Sequence, residues 1–283
     1  MNRPSLTIAT VNLNNASGLR ATIQSVRKQK SKPSQFLVLD GGSTDSSNDL
    51  SASAADVVTQ WISRKDNGIY DAMNSAIDLA DSEYILFLNS GDTLHSADTL
   101  RLFFDLQPKA DVVYGDVNIC YRWSSEQKRY ADTISDWFLY VDTVCHQTQF
   151  IRTDLFRKIG KYRTDIRIVA DYEFLVRAFK TPGVSWQHLP VTVANYMYGG
   201  MSAKAENFSY IEAKRREIQT RYFDQQTLRA FKQCEPFYLE LSNLKRSYAL
   251  RLAKTLSALP GLRYLAMRLI STTKFMLRIL HLK

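Results

Sequence analysis

The chain has 283 residues, 45% of them hydrophobic and 23% charged, enough apolar material for one large or two modest cores and too much for a disordered chain. Its formal net charge of +9 is unevenly placed: residues 1–240 balance their acids and bases, whereas residues 241–283 carry nine Lys and Arg and no acid. A basic tail on a neutral body argues against a nucleic-acid groove through the main domain and for attachment to an anionic membrane surface.

At the N-terminus, Met1-Asn2-Arg3-Pro4 leads into an apolar run at 6–11 that turns polar at Asn12. That run is shorter than the roughly 7 to 15 apolar residues of a signal-peptide core, so the mature protein is expected to begin here. With a second run at 36–39 it brackets a helical segment at 18–28, a strand-helix-strand unit. A short strand near 56–61, a helix at about 69–80 and a strong strand at 84–88 continue the alternation. Such alternation predicts a mostly parallel sheet with helices on both faces and ligand sites at the carboxyl ends of its strands. A helix near 97–106 and a strand at 112–114 follow, then a mixed region holding Trp123, Trp137, Cys145 and His146 whose strand order the pattern does not give. A helix at about 170–179 is closed by Pro182-Gly183, short strands are expected over 184–197 up to Gly199-Gly200, and helix from 203 onward. Cys120, Cys145 and Cys234 have neither metal-ligand spacing nor an even count, which fits a reducing, cytosolic compartment. No run approaches the roughly 18 to 20 uncharged apolar residues that span a bilayer.

The polar clusters sit where strands end. Thr10-Val11-Asn12 and Asp40-Gly41-Gly42-Ser43-Thr44-Asp45 close the first two strands at one edge. The glycines admit a close ligand and Asp40 can accept from a base or ribose, although such a run standing alone is more often a turn. It is neither a Walker A loop nor a GxGxxG fingerprint. In Asp66-Asn67-Gly68-Ile69-Tyr70-Asp71-Ala72-Met73-Asn74, Asp66 or Asn67 reads as a helix cap. Tyr70, Asp71 and Asn74 gather a phenol, a carboxylate and an amide near that helix N-terminus, a place suited to phosphate or ribose oxygens. Asn89-Ser90-Gly91-Asp92 ends the strongest strand. A carboxylate there needs a partner, which is either a Mg2+ or Mn2+ ion on Asp92 or a capping role on the next helix.

Taken in order, these clusters resemble the family 2 glycosyltransferases over roughly residues 5–200, with His146-Gln147, Ala170-Asp171-Tyr172-Glu173 and Gly199-Gly200-Met201-Ser202 similar to that family's later segments. The resemblance implies an α/β chain of the GT-A nucleotide-diphosphosugar transferase fold, Rossmann-like with a mostly parallel sheet, plus C-terminal helices. A catalytic domain would cover 1–205, with a donor half at about 1–115 and an acceptor half at about 116–205, and a helical extension 206–283. It implies that Thr10, Asn12, Asp40, Asp71, Asn74, Asn89 and Ser90 bind the nucleotide sugar and that Asp92 holds Mg2+ or Mn2+. Asp171 would be the general base, and His146 a weaker contact to acceptor or diphosphate. One departure is that a single acid, Asp92, stands at the family's Asp-x-Asp position. Another is the absence of a Gln-x-x-Arg-Trp segment, which favours single-sugar over processive transfer.

The inverting transfer that the resemblance implies makes two demands: a carboxylate within reach of the acceptor hydroxyl, and stabilisation of the departing diphosphate. Asp171, opening a helix whose dipole favours its charged form, suits the first. Arg163, Arg167 and Arg177 flank it but read as surface residues. In the tail, at about 100° per residue, Leu262, Leu265, Leu269, Met276 and Leu280 share one face, and Arg263, Lys274 and Arg278 another. This is the pattern of a helix lying on anionic lipid, with packing on a protein partner as the alternative. The expected protein is a cytoplasmic glycosyltransferase, peripheral at the inner face of the membrane, with a hydroxyl acceptor that is lipid-linked or a polysaccharide intermediate. A nucleotidyltransferase on a related fold and a silent nucleotide-sugar-binding scaffold are the competing readings.

Overall fold

A computed structural model describes residues 4–257, and of residues 242–257 the backbone alone. In chain order the strands are β1 (Leu6–Asn12), β2 (Gln35–Asp40), β3 (Gln60–Ser63), β4 (Tyr84–Phe87), β5 (Thr93–Leu94), β6 (Val112–Cys120), β7 (Ser125–Lys128), β8 (Gln149–Arg152) and β9 (Trp186–Met197). The helices are α1 (Ala16–Arg27), α2 (Leu50–Ser53), α3 (Ile69–Leu79), α4 (Thr99–Asp105), α5 (Asp136–Val141), α6 (Thr153–Ile159), α7 (Ala170–Lys180), α8 (Phe208–Tyr222) and α9 (Gln225–Ser257). The strands form one sheet in the order β3-β2-β1-β4-β8-β6-β9-β5, with β7 paired to β6. β3, β2, β1 and β4 are mutually parallel and β9 runs parallel to β6, while β8 lies antiparallel between β4 and β6.

β1 is buried along all seven residues because both faces of the sheet are covered. On one face Leu19 and Ile23 of α1 and Phe103 of α4 pack against Phe36, Leu86 and Phe150, with Phe103 and Phe150 stacked at 4.0 Å. On the other, Met73 and Ala76 of α3, Phe156 of α6 and Phe174 of α7 meet Leu37, Phe87 and Ile151. The mostly parallel α/β architecture read from the alternation is the one observed.

The differences lie in the second half. The third strand falls at Gln60–Ser63, since 54–58 is used by a turn in which Val57 and Val58 donate to Ala54. β6 continues past 114 to Cys120, and the short strands expected over 184–197 are one strand, β9, whose register against β6 shifts around Asp116. Pro190 lies in that irregular stretch, a place where a missing N–H is tolerated. Helix does not begin at 203: two 3-10 turns precede α8, which breaks at Phe223 before Asp224 caps α9 through Thr227 N at 2.8 Å.

α8 buttresses α7. Arg215 lies 3.9 Å over the Tyr172 ring, Gln219 donates to Tyr140 O (2.9 Å) and Tyr172 Oη (3.2 Å), and Ile218 and Phe223 join the core. α9 reaches α5 through Phe231 and Tyr238, whose rings meet Trp137 at 5.2 and 5.4 Å. Among the described residues no helix is long and apolar enough to cross a membrane. The amphipathic segment expected over 262–283 lies outside the described residues.

β6 and β9 are also joined by charge. His188 Nε2 is 3.2 Å from Asp116 Oδ1 and its Nδ1 2.8 Å from Asp132 Oδ1. Burial disfavours its cation, but the hydrogen bonds it donates to these two carboxylates outweigh that and raise its pKa. A raised native pKa stabilises fully below the unfolded value of about 6.5 and is lost as pH rises through the native value. The melting-temperature gap between wild type and His188→Gln is therefore expected to be widest below about pH 6.5 and to narrow on the alkaline side. A gap independent of pH would reduce His188 to a packing role.

Candidate active site

The first two strand ends build a pocket. Asp40, 2% exposed, accepts from Asn12 Nδ2 (2.8 Å), Ser63 Oγ (2.8 Å), Ser43 N (2.9 Å) and Ser43 Oγ. Burial alone would raise its pKa, but the bonds from Ser43, Asn12 and Ser63 outweigh it and hold the carboxyl below the usual range. A cavity of about 290 Å³ opens beside it, lined by Asp40, Ile62, Arg64, Lys65, Asp66 and Asp71 among others. At its rim a Cβ on Gly41 would lie 2.7 Å from Asp66 Oδ2, so a side chain there would displace the Asp66 carboxylate. Asn12 points its Nδ2 at Asp40 and leaves its buried Oδ1 without a partner. Thr10 is 0% exposed and donates to Leu88 O at 2.7 Å, so its hydroxyl ties β1 to the end of β4 behind the pocket.

The first turn of α3 forms the opposite wall. Gly68, neither Asp66 nor Asn67, is the N-cap; Asp66 Oδ1 accepts from Gly68 N at 2.9 Å and Asp71 Oδ2 from Asn67 N at 3.0 Å. Asp71 faces the pocket, whereas Tyr70 beside it points away and donates to Asp171 Oδ1 at 2.8 Å. Asn74, expected to touch the donor, exchanges two hydrogen bonds with the Tyr162 backbone (2.8 and 3.0 Å). An amide satisfied at both ends this way fixes the loop before α7.

The segment after β4 departs most from expectation. Ser90 Oγ donates to Asn15 O at 3.2 Å, and Gly91 adopts φ +104°, a conformation a side chain would strain. Thr22 holds the turn from below, accepting from Gly91 N (3.0 Å) and donating to Asp92 O (2.7 Å). Asp92 is only 5% exposed and turns inward: Oδ1 accepts from Met197 N at 2.9 Å and Oδ2 from Gln147 Nε2 at 2.8 Å. It was expected to hold Mg2+ or Mn2+, but a carboxylate enclosed in this way offers a cation no open face to share with a diphosphate. Position 91 has no side chain, and no group of three or more His, Cys, Asp or Glu that could hold a metal occurs among the described residues. Asp92 stitches the segment after β4 to β9 and to the turn His146–Thr148.

Asp171 lies in the first turn of α7, entered through Val169 in a left-handed conformation (φ +70°). Its side chain is 26% exposed, and Oδ2 lies 3.2 Å from His146 Nδ1. Burial opposes its ionisation, yet His146 above all, with Tyr70 and the Tyr172 N–H, keeps its pKa below the usual value. Glu173 is fully buried and faces elsewhere, paired to Arg177 at 3.0 Å and bonded by Tyr222 Oη. Arg177 is thus a strut of α7; Arg167 bonds Asn207, and Arg163 bonds Asp165.

Of the residues singled out in the sequence, the structure gathers Asp40, Asn12 and Asp71 around the pocket and Asn89, His146 and Asp171 into a second group. The first turn of α3 links the two. Sequence reasoning missed Ser63, Arg64 and Lys65, because a four-residue exposed strand carries little periodicity, and it missed the inward turn of Asp92, for which adjacency of Gln147 to His146 was the only signal.

Burial pushes the Asp92 pKa up to about 6, against the bonds from Gln147 and Met197. Between pH about 4 and that value the native state binds a proton the unfolded chain has released, so stability falls as pH rises through the window. In urea unfolding, wild type should lose roughly 2 to 3 kcal/mol more between pH 4 and 7 than Asp92→Asn does. Equal losses would show that Asp92 is not a buried carboxylate.

The model of the family described as glycosyl transferase family 2 matches residues 7–166. The chain is 34% identical over 212 residues to a PGL/p-HBAD biosynthesis glycosyltransferase of Mycobacterium bovis (strain BCG / Pasteur 1173P2), covering 71% of this chain and 80% of that one. A Mycobacterium tuberculosis protein named as an uncharacterized glycosyltransferase is 28% identical over 186 residues, 62% of this chain and 69% of that one. Among solved structures, S. aureus TarS 1–349 in complex with UDP-GlcNAc gives a TM-score of 0.61 at 16% identity, over 97% of this chain and 90% of that one. The mannosyltransferase PcManGT from Pyrobaculum calidifontis, in complex with GDP-Man and Mn2+, gives 0.56 at 14% identity, over 99% and 88%. At such identities the likeness is one of fold, and it is the GT-A fold that the family resemblance implied. The family match and the relatives together place the chain in glycosyltransferase family 2, as a glycosyltransferase.

Proposed function

We propose that this enzyme binds a nucleotide-diphosphate sugar in the pocket between β2, β3 and α3 and transfers one sugar, with inversion, to an acceptor hydroxyl deprotonated by Asp171. The observation that supports this most is the coupling of pocket and carboxylate through consecutive residues of α3: Asp71 lines the one, Tyr70 bonds the other. The nucleoside lies along Asp40 and Ile62, and Arg64 and Lys65 are the cations this chain itself offers to the diphosphate. Asp171 receives the hydroxyl proton as the oxygen attacks the anomeric carbon and the diphosphate leaves with the bonding pair. The lone base accords with a single displacement, and the absence of a Gln-x-x-Arg-Trp segment with single-sugar transfer. The acid-free tail suits a position at the cytoplasmic membrane face and a lipid-linked acceptor.

Titration with UDP, GDP, CDP and dTDP should give tight binding of one diphosphate. Asp171→Asn should keep that affinity and lose transfer by about 100-fold or more, the range of a positioned base; wild-type turnover in the variant would overturn the assignment. Removing residues 262–283 should abolish sedimentation with phosphatidylglycerol vesicles at unchanged melting temperature, and retained sedimentation would count against the tail as an anchor.

A further inference from the structure

Three segments far apart in the chain converge on the Asp171 carboxylate. Tyr70 donates to Oδ1 at 2.8 Å, and His146 Nδ1 lies 3.2 Å from Oδ2. The far side of the same imidazole, Nε2, is 3.0 Å from Asn89 Nδ2. The His146 side chain is 17% exposed, so these two neighbours, more than water, determine which nitrogen carries a proton.

The network assigns that proton. An amide N–H directed at Nε2 requires a lone pair there, which leaves the hydrogen on Nδ1, where it donates to Asp171. The arrangement leaves Asn89 Oδ1 buried and without a partner, an unfavourable state for a polar atom. In this orientation the amide donates to the ring, which goes with a lone pair on Nε2. A carboxylate at position 89 would do the opposite, accepting from Nε2–H and holding His146 as a cation. A cation against Asp171 would weaken it further as a base; a neutral N–H orients the carboxylate at a smaller cost in basicity.

We propose that His146, held between Asn89 and Asp171, is the positioning residue for the base Asp171. With Tyr70 it occupies one lone pair on each carboxylate oxygen and leaves the remaining ones for the acceptor hydroxyl. In the transfer step the hydroxyl proton passes to Asp171, the acceptor oxygen bonds the anomeric carbon, and the bond to the diphosphate breaks with its electron pair on the diphosphate. His146 retains its Nδ1 proton throughout. This inference rests on the reading of Asp171 as the base. Asp92, at the end of the turn after β4, is occupied by Gln147 and Met197.

The test uses the full chain with UDP-glucose, UDP-GlcNAc, GDP-mannose and dTDP-glucose as probes, following release of the nucleoside diphosphate with water as acceptor. His146→Ala should lower kcat about 10- to 100-fold at unchanged KM, and His146→Asn, which restores an N–H near the place of Nδ1, should recover most of the loss. Asn89→Asp should lower kcat about 10-fold, again at unchanged KM. Alanine within two-fold of wild type, asparagine no better than alanine, or an Asn89→Asp variant as active as wild type or more so would overturn the proposal. Should His146→Ala fail to melt cooperatively, Asn89→Asp and His146→Asn decide the matter. Activity in Asp171→Asn would remove the base itself, whereas an inactive Asp171→Asn beside a fully active His146→Ala would remove only His146's role.

Discussion

A carboxylate taken out of water must be met by hydrogen-bond donors, and at the carboxyl edge of this sheet that requirement shapes the backbone twice. Around Asp40 it folds residues 41–43 back onto the end of β2 and draws in Asn12 from β1 and Ser63 from β3, so three adjacent strands share one ion. Around Asp92 it joins elements from opposite halves of the chain: the amide of Met197 at the end of β9 and the side chain of Gln147 in the turn before β8. The first arrangement sets the floor of the pocket, and the second sets where His146 stands relative to Asn89. Both acids shape the site through the backbone they hold.

Asp171 depends on a third buried acid. Glu173, two residues on, faces the interior of α7 and is held by Arg177 and Tyr222, while Arg177 also gathers the carbonyls of Gly160 and Lys161. Removing one partner from such a set leaves an uncompensated charge, costing about 3 to 5 kcal/mol, so it fixes the helix more firmly than it stabilises the fold. Because Tyr222 lies at the end of α8, that helix belongs to the support of the carboxylate.

Much of this was readable from the pattern of residues. The runs that became β1, β2 and β4 are continuous apolar stretches bounded by polar clusters, and α3 and α7 show the spacing of half-buried helices. What pattern does not carry is direction. Spacing put Asp92 at a strand end but could not say that its carboxylate turns inward, and it put Asn74 on a helix face without revealing that Tyr162 lies opposite. The later strands were harder still: β8 is four residues long, and β9 is broken by Pro190 and a register shift that interrupts any period of two. Thr10 illustrates the same limit from the other side, since a hydroxyl at a strand end serves the sheet as readily as a ligand.

The antiparallel insertion of β8 has a consequence for the making of the protein. β4 ends at Phe87, but its outer edge pairs with β8, which begins only at Gln149. On a ribosome adding about 5–20 residues per second, the four parallel strands are complete for roughly 3 to 12 s before the strand that covers β4 is made. Throughout that interval the row Tyr84-Ile85-Leu86-Phe87, wholly buried in the finished molecule, is an open apolar edge of the kind that recruits other chains. The order of synthesis thus makes β4 the point at which the nascent chain most needs protection.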